Sequence, residues 1–475
     1  MHKGFYDAAE YGISGDGKTN NTEAIRRLVS VAEQNGGGTI YFPPGEYVTG
    51  SIELKSNMTL YLEAGATLLG SENPEDFPMI DHTVVPGWAA PTHAGFVTAL
   101  NARNIAVCGR GTLNGRGENW WHKYGDERPR SIEFIGCENV LIENIQITHS
   151  PMWTVHPVCC NNVTIHGITI RNPADSPNTD GINPDGCSGV HISDCTIDVG
   201  DDCVTLKSGT QHDDYIRRHP CENITITNCT MQHGHGGVVI GSEMSGGVRN
   251  VVISNCVFSG TDRGIRIKTR RLRGGTVENI RVNNMIMDGV FCPIVVNCFY
   301  CCSTSPEDYD FASSSQKQPV RSDTPLFRNF AFSNITVRNA SAAACYIDGL
   351  PECPVDGIQI DNFSVEMRQG DGVQPQAPAM TYEAEKAGKK AKGEGMFLRN
   401  ARNVTMRNVT LSSVSGPGLT MEQCGGAKIS SFAVCGAPAQ APVFRLENSD
   451  GIAVDQPGAK KLVQQSGCRD LRVSE

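Results

Sequence analysis

Between Asn178 and Lys268 four short polar motifs follow one another: Asn178-Thr179-Asp180-Gly181, Gly200-Asp201-Asp202-Cys203, Gly234-His235-Gly236-Gly237 and Arg266-Ile267-Lys268. Asp180, Asp201 and Asp202 are the residue types that hydrolysis of a glycosidic bond needs. One acid must protonate the leaving oxygen, and a carboxylate must activate water or attack carbon. Crowded carboxylates raise one another's proton affinity, so one can stay protonated near neutral or mildly acid pH while its neighbours remain ionised. Successive strand residues point to opposite faces, so Asp201 and Asp202 share a cleft only if the backbone bends, which Gly200 permits. His235, in a Gly-rich setting, can hydrogen-bond the acid and hold its proton state; His233 is the rival for that role. Arg266 and Lys268 alternate across Ile267 and project together, as a clamp for a substrate carboxylate.

Each motif has a plainer reading when taken alone. Asp in Asn-Thr-Asp-Gly or Gly-Asp-Asp is ordinary turn chemistry, a Gly-flanked His is structural, and alternating Arg and Lys form a solvated strand face. Phase reverses this. From Asn139 a nine-residue phrase recurs, starting at Asn139, Asn162, Gly189, Asn223, Asn250, Asn279, Asn329, Gly357 and Asn403, and periods of this length mark solenoids. The second and fourth residues of the phrase are apolar, the sixth is usually Asn, and the seventh and ninth are apolar again. Period-two alternation gives a half-buried strand, and the slip at the Asn re-aims the next strand after a bend that Asn, tolerant of left-handed backbone, can make. The pattern is all-β, a parallel β-helix. Counted from the preceding phrase, Asp180 and Lys268 each lie 18 residues in, and Asp201 and His235 each lie 12 in. Neighbouring coils are about 4.8 Å apart, so the four motifs are expected to form one patch.

The elements that must position them read as a single domain over 1–475. Asn20-Asn21-Thr22-Glu23 is a capping box opening a helix with Ala24, Ile25, Leu28, Val29 and Ala32 on one face, so 1–38 is an N-terminal cap region. Coils are expected over 39–435, with insertions at 301–328 and 367–396 and a C-terminal cap or tail at 436–475. A net charge of −10 disfavours nucleic acid as a partner, and no run of about 18 apolar residues suggests a membrane helix. Met1-His2-Lys3-Gly4-Phe5-Tyr6-Asp7 has no apolar h-region. Nineteen cysteines are an odd count, and Cys195, Cys229 and Cys256 occupy the seventh position of the phrase, as small buried hydrophobes with free thiols. These features predict a cytoplasmic protein. Trp120-Trp121 reads as packing rather than as a sugar platform. No cofactor or metal is called for, and the chain is compatible with a homo-oligomer.

The four motifs, intact and in this order, resemble glycoside hydrolase family 28, the polygalacturonases, over about residues 5–435. The resemblance implies a right-handed parallel β-helix with an N-terminal capping helix. It implies Asp201 as general acid, Asp180 and Asp202 as bases positioning water in a single inverting displacement, and His235 as support for Asp201. Inversion predicts roughly 6.5–9.5 Å between acid and base. Asn178, Arg266, Lys268 and Tyr300 are the expected substrate-binding residues, Arg266 and Lys268 on the galacturonate carboxylate and Tyr300 lining the sugar site. Gly241-Ser242-Glu243-Met244-Ser245-Gly246-Gly247, Asn297-Cys298-Phe299-Tyr300 and Gly349-Leu350-Pro351-Glu352 are similar to the bacterial exo-acting branch. That similarity implies release of galacturonic acid from the non-reducing end of pectic oligo- or polygalacturonate. The alternatives are hydrolysis of another pectic glycan, a pectate lyase holding Ca²⁺ on its acids, or a noncatalytic carbohydrate-binding β-helix. Among other pectic glycans, rhamnogalacturonan-cleaving relatives typically lose the Gly-His-Gly and Arg-Ile-Lys motifs; xylogalacturonan stays open.

Overall fold

The computed structural model describes residues 4–88, 90–368, 377–378, 390–391 and 393–475. The chain divides into two compact units, residues 1–234 and 235–475, where the repeat predicts one domain. In a solenoid each coil contacts its neighbours alone, so a string of coils has no obligatory single core.

The first unit carries three parallel ladders. One runs through Gly38–Phe42, Met58–Leu62, Arg103–Gly109, Glu138–Glu143, Asn161–His166, Ser188–Ser193 and Cys221–Thr227. A second runs through Gly45–Thr49, Ala66–Gly70, Thr112–Asn114, Gln146–Thr148, Thr169–Arg171, Thr196–Val199 and Thr230–His233. The third joins Ile52–Glu53, Val97–Leu100, Ile132–Ile135 and Val155–Val158, and continues by single bridges from Val155 to Ile182 and on to Val204. Register puts like positions of the phrase in line: Val140, Val163, Val190 and Ile224 stack, as do Ile142, Ile165, Ile192 and Ile226, and all are buried.

The bends are made as expected. Asn139, Asn144, Asn162, Asn223 and Asn228 hold left-handed backbone with φ of 56–60°, and their amides form rungs: Asn139 donates to Asn104 at 3.0 Å and Asn162 to Asn139 at 2.7 Å. Cys195 and Cys229 are buried at the seventh position. A second thiol row stands two residues before the phrase, where the amide of Cys137 reaches the sulfur of Cys160 at 3.4 Å and that of Cys160 the sulfur of Cys187 at 3.4 Å. All nineteen cysteines are free.

Two expectations at the N-terminus need correction. Phe5–Asp7 pairs with Thr39 to Tyr41, and Asp16–Asn20 with the strand Gly45–Thr49, so the first coil starts at Phe5, not at 39. The capping box does not form, because the Asn21 side chain is taken by the backbone of Ser14 at 2.8 and 3.0 Å. Asn20 instead accepts from the Thr22 amide at 3.0 Å. The helix, Thr22–Gln34, buries Ile25, Leu28, Val29 and Ala32 as predicted.

In the second unit the two strands of each phrase fuse into one long strand, in Val248–Ser259, Thr276–Asp288, Leu326–Ala340, Val355–Met367, Ala401–Ser412 and Gly425–Cys435. Asn255, Asn284, Asn334, Asn362 and Asn408, with φ of 50–58°, kink the first five, and Ser431, at φ 52°, kinks the sixth. A second ladder stacks Val238–Ile240, Arg263–Lys268, Cys292–Asn297, Ala343–Asp348, Glu394–Arg399 and Leu419–Glu422. Beyond 435 the expected cap or tail is further coil, since Phe444–Glu447, Asp450–Asp455 and Val463–Ser466 all pair in parallel. The phrase is masked there because Gln456 stands at its sixth position in place of Asn, and Pro457 follows at the seventh. The 301–328 insertion contains a helix, Pro306–Ser313, whose N-cap Ser305 accepts from the Asp308 amide. Of the 367–396 insertion, residues 369–376, 379–389 and 392, with Glu383-Ala384-Glu385-Lys386, lie outside the described residues.

Candidate active site

The three acids come together in the first unit. Asp180 lies two residues before Ile182, which bridges Val155 and Val204, and Asp201 and Asp202 occupy the bend between Thr196–Val199 and Val204–Leu206. Because this bend is not a strand, alternation does not send the two aspartates to opposite faces. Close backbone approach makes the site glycine-dependent: a Cβ on Gly200 would sit 2.5 Å from the Ser176 carbonyl oxygen, and one on Gly181 2.4 Å from that of Cys203. The Gly181 amide donates to the Asp202 carbonyl at 2.9 Å, which locks the two motifs in register. Asp180 Oδ2 accepts from Asn183 Nδ2 at 3.1 Å and from Thr205 Oγ1 at 3.3 Å. Asp201 Oδ1 accepts from the Asp202 amide at 2.9 Å. One oxygen from each carboxylate lies within 4.8 Å of the other two.

That spacing is tighter than the acid–base separation expected for inversion. Acids on adjacent coils inherit the inter-coil distance of about 4.8 Å. The same three oxygens could meet a cation, yet hard cations such as Ca²⁺ require six to eight oxygens. Hydrogen bonds from Asn183, Thr205 and the Asp202 amide already engage the carboxylates of Asp180 and Asp201.

In the second unit, Arg266 and Lys268 lie on Arg263–Lys268, opposite Val295 and Asn297 of the next coil. The Arg266 guanidinium and the Lys268 ammonium lie over the Tyr300 ring, at 5.4 and 5.2 Å from its centroid, so the two cations and the expected tyrosine share one surface. His235 is exposed. Its rival, His233, is held in the first unit by Asp198 at 2.8 Å. Trp120 is fully buried against Phe77 and Tyr124, and Trp121 donates to the Ser150 carbonyl at 2.9 Å, so this pair is packing, as predicted.

Asn178, expected against substrate, is engaged through Oδ1 by Arg128 Nη2 at 2.8 Å. Arg128 also reaches the carbonyls of Pro151 and Pro177 at 3.1 and 2.8 Å, and so fixes the loop that delivers Asp180. Sequence reasoning missed it. Also missed is a buried polar column on the third ladder of this unit. His156 Nδ1 lies 3.1 Å from Glu133 Oε1, and His156 Nε2 lies 3.7 Å from Asp185 Oδ2. Arg130 and Lys207 approach the Trp153 ring at 5.2 and 4.6 Å. The signal was charged residues inside strands whose other members are apolar.

Asp213, beside this column, accepts from the Ile216 amide at 3.0 Å. Burial, helped by the nearby Asp185 carboxylate, pushes its carboxyl up to about 6. A folded pKa above the unfolded one means that folding holds this proton. The resulting stability is full below roughly pH 4 and is lost as pH rises through about 6. Asp213→Asn keeps an acceptor and removes the buried charge. Its melting temperature is therefore expected to exceed the parent's above neutrality and to converge with it in acid; a constant difference across that range would refute the assignment.

The model of Glycosyl hydrolases family 28 matches residues 44–381, and that of Rhamnogalacturonase A/epimerase, pectate lyase-like, matches residues 5–71. A "Probable polygalacturonase" of Vitis vinifera is 34% identical over 372 residues, 75% of this chain and 73% of that protein. The crystal structure of a hyperthermoactive exopolygalacturonase from Thermotoga maritima superposes with a TM-score of 0.69 at 28% identity, covering 86% of this chain and 91% of that one. A family 28 exopolygalacturonase from Yersinia enterocolitica shares the fold, with a TM-score of 0.68 at 21% identity over 99% of this chain and 78% of that one. Parallel coils, an aspartate triad and this match over most of the chain together mean that the protein belongs to glycoside hydrolase family 28 and is a polygalacturonase-like enzyme.

Proposed function

We propose that the enzyme hydrolyses α-1,4-galacturonosidic bonds of pectic oligo- or polygalacturonate, acting from the non-reducing end and releasing galacturonic acid. The observation that carries this reading is the gathering of Asp180, Asp201 and Asp202 within 4.8 Å. Asp201 is the general acid, and Asp180 and Asp202 hold the attacking water. Crowded carboxylates disfavour full ionisation, which suits one proton donor among three. Arg266 and Lys268 take the substrate carboxylate, with Tyr300 against the sugar, and His235 supports the acid by the family pattern. A buried, preset pair of cations discriminates a uronate from its methyl ester by charge-assisted hydrogen bonds.

The carboxylate spacing by itself matches a retaining pair better than an inverting one. Single displacement rests on the count of acids, since two can seat a water that the third does not touch. Exo action draws support from the Thermotoga exopolygalacturonase. Nineteen free thiols suit a reducing compartment such as the cytoplasm, where the substrates are short imported oligomers.

A time course on trigalacturonate and polygalacturonate, with the anomeric configuration of the first product read by proton NMR, tests exo action, single displacement and hydrolysis itself. The expected result is monomer as the sole early product, in inverted configuration. A ladder of oligomers means endo action, and retained configuration overturns single displacement. An ultraviolet-absorbing unsaturated product means a lyase.

A further inference from the structure

The segment from Arg263 to Arg273 holds six cations, Arg263, Arg266, Lys268, Arg270, Arg271 and Arg273, all of them buried. Burying a guanidinium costs several kcal/mol unless acceptors or an anion meet it. Arg263 has Asp262 at 3.4 Å, and Arg271 has Glu352 at 2.6 Å. Arg266 and Lys268 share Tyr300. Arg270 and Arg273 are provided for differently. Arg270 donates to backbone oxygens, from Nη1 to Arg271 at 3.0 Å and from Nη2 to Ser303 at 3.5 Å, and among the described residues its Nε has no acceptor. Arg273 Nη1 is 3.7 Å from Glu243 Oε1, an ion-pair distance too long for a hydrogen bond. Among the described residues its Nε and Nη1 both lack an acceptor.

The turn between them, closed by the Arg273 amide on the Arg270 carbonyl at 3.4 Å, brings the two guanidinium groups close enough to repel. Burial, and after it the charge of Arg273, holds the Arg270 guanidinium below its ordinary value. Two like charges, both more than nine-tenths buried, with three N–H groups unmet, make an arrangement that an anion relieves and an apolar residue does not. Extended backbone advances about 3.3 Å per residue. Position 270 therefore lies at most about 7 Å past Lys268, a step on the scale of one sugar.

We propose that Arg270 and Arg273 form a second carboxylate seat, which takes the uronate next to the one held by Arg266 and Lys268. This rests on the polygalacturonate reading above and deepens it: the preferred substrate carries at least two adjacent free carboxylates on that side of the cleaved bond.

The test compares kcat/KM for trigalacturonate with that for digalacturonate in the full chain and in the variant Arg270→Met/Arg273→Met. Hydrogen bonds to charged groups contribute roughly 1.5–3 kcal/mol, so the trimer-to-dimer ratio is expected to fall about tenfold or more. An unchanged ratio overturns the seat. Arg273→Lys, which keeps the charge and loses the fork, should lower the ratio in part; it decides the matter if the double variant does not fold, because an unchanged ratio in it is equally fatal. Calorimetric binding of both oligomers to the same proteins separates the two readings. If the parent turns over neither oligomer but binds the trimer through these arginines, the hydrolase reading fails and the seat stands. Turnover of both oligomers at an arginine-independent ratio means the reverse.

Discussion

Asp201→Asn should lower kcat on oligogalacturonate by roughly 10²–10⁴-fold, the usual contribution of a positioned general acid, while leaving thermal unfolding unchanged. The substitution is unusually clean. Asp201 is part-exposed, and its Oδ1 accepts from the Asp202 amide at 2.9 Å, a bond that an Asn carbonyl can retain. What is lost is the proton and the charge. Asp180→Asn makes the informative contrast. Asp180 Oδ2 accepts from both Asn183 and Thr205, so an amide there must either turn its oxygen to these donors or set NH₂ against NH₂. Asp180→Asn is therefore expected to lose activity together with some stability, and Asp201→Asn activity alone. The check is a pair of melting curves beside steady-state kinetics on trigalacturonate. If Asp201→Asn keeps more than about a tenth of parental kcat, proton donation belongs to another group.

What could be read from the sequence was whatever repeats. A β-helix writes each coil with the same local rules, so a phrase of apolar positions around an Asn was enough to place the core and the bends. Asp180, Asp201 and Asp202 were brought together by phase alone. Cys137, Cys160, Cys187 and Cys221 obeyed the same rule, each two residues before its phrase, and were overlooked because Cys was weighed by count rather than by phase. Helix Pro306–Ser313 was likewise not read, although a capping Ser followed by Pro and two acids signals it. The first coil was hidden because Phe5–Asp7 and Asp16–Asn20 lack the phrase and are recognised through their partners. The remaining misses are pairings between distant residues that no local pattern encodes. Glu133 meets His156, Arg128 meets Asn178, and Arg271 meets Glu352, which is 81 residues away.

The last of these pairings carries the largest expected effect on stability. The side chains of Arg271 and Glu352 are both fully buried, and Arg271 Nε donates to Glu352 Oε1 at 2.6 Å and Nη2 to Oε2 at 3.0 Å, a bidentate pair. The same guanidinium donates to the carbonyls of Phe311 and Ala312 at 3.3 Å, of Ser314 at 2.7 Å and of Gln316 at 3.3 Å. Phe311 and Ala312 close the insertion helix, where unsatisfied carbonyls and the negative end of the helix dipole favour a cation. One side chain thus ties the 301–328 insertion to the coil that carries Glu352. Arg271→Met leaves Glu352 charged, buried and unpaired, at a cost of about 3–5 kcal/mol, and frees the insertion at the same time. Two readouts follow: a lowered denaturation midpoint, and new proteolytic cleavage between Ser303 and Thr324. Arg271→Met/Glu352→Leu removes both charges and should recover much of the midpoint, since the penalty lies in the orphaned partner. It should not restore protease resistance, because the helix carbonyls still lack their donor. Glu352 itself adds a pH signature. Burial is the largest influence and raises its carboxyl, but the Arg271 hydrogen bonds, the backbone amides of Glu352 and Gln318 and the Arg271 charge together outweigh it and hold the group below the usual glutamate value. The contribution of the pair is therefore present above that value and is lost as pH falls through the lowered one. A parent midpoint that falls in acid, beside an Arg271→Met midpoint that falls less steeply, is the expected pattern. Parallel acid profiles would show that the pair does not set it.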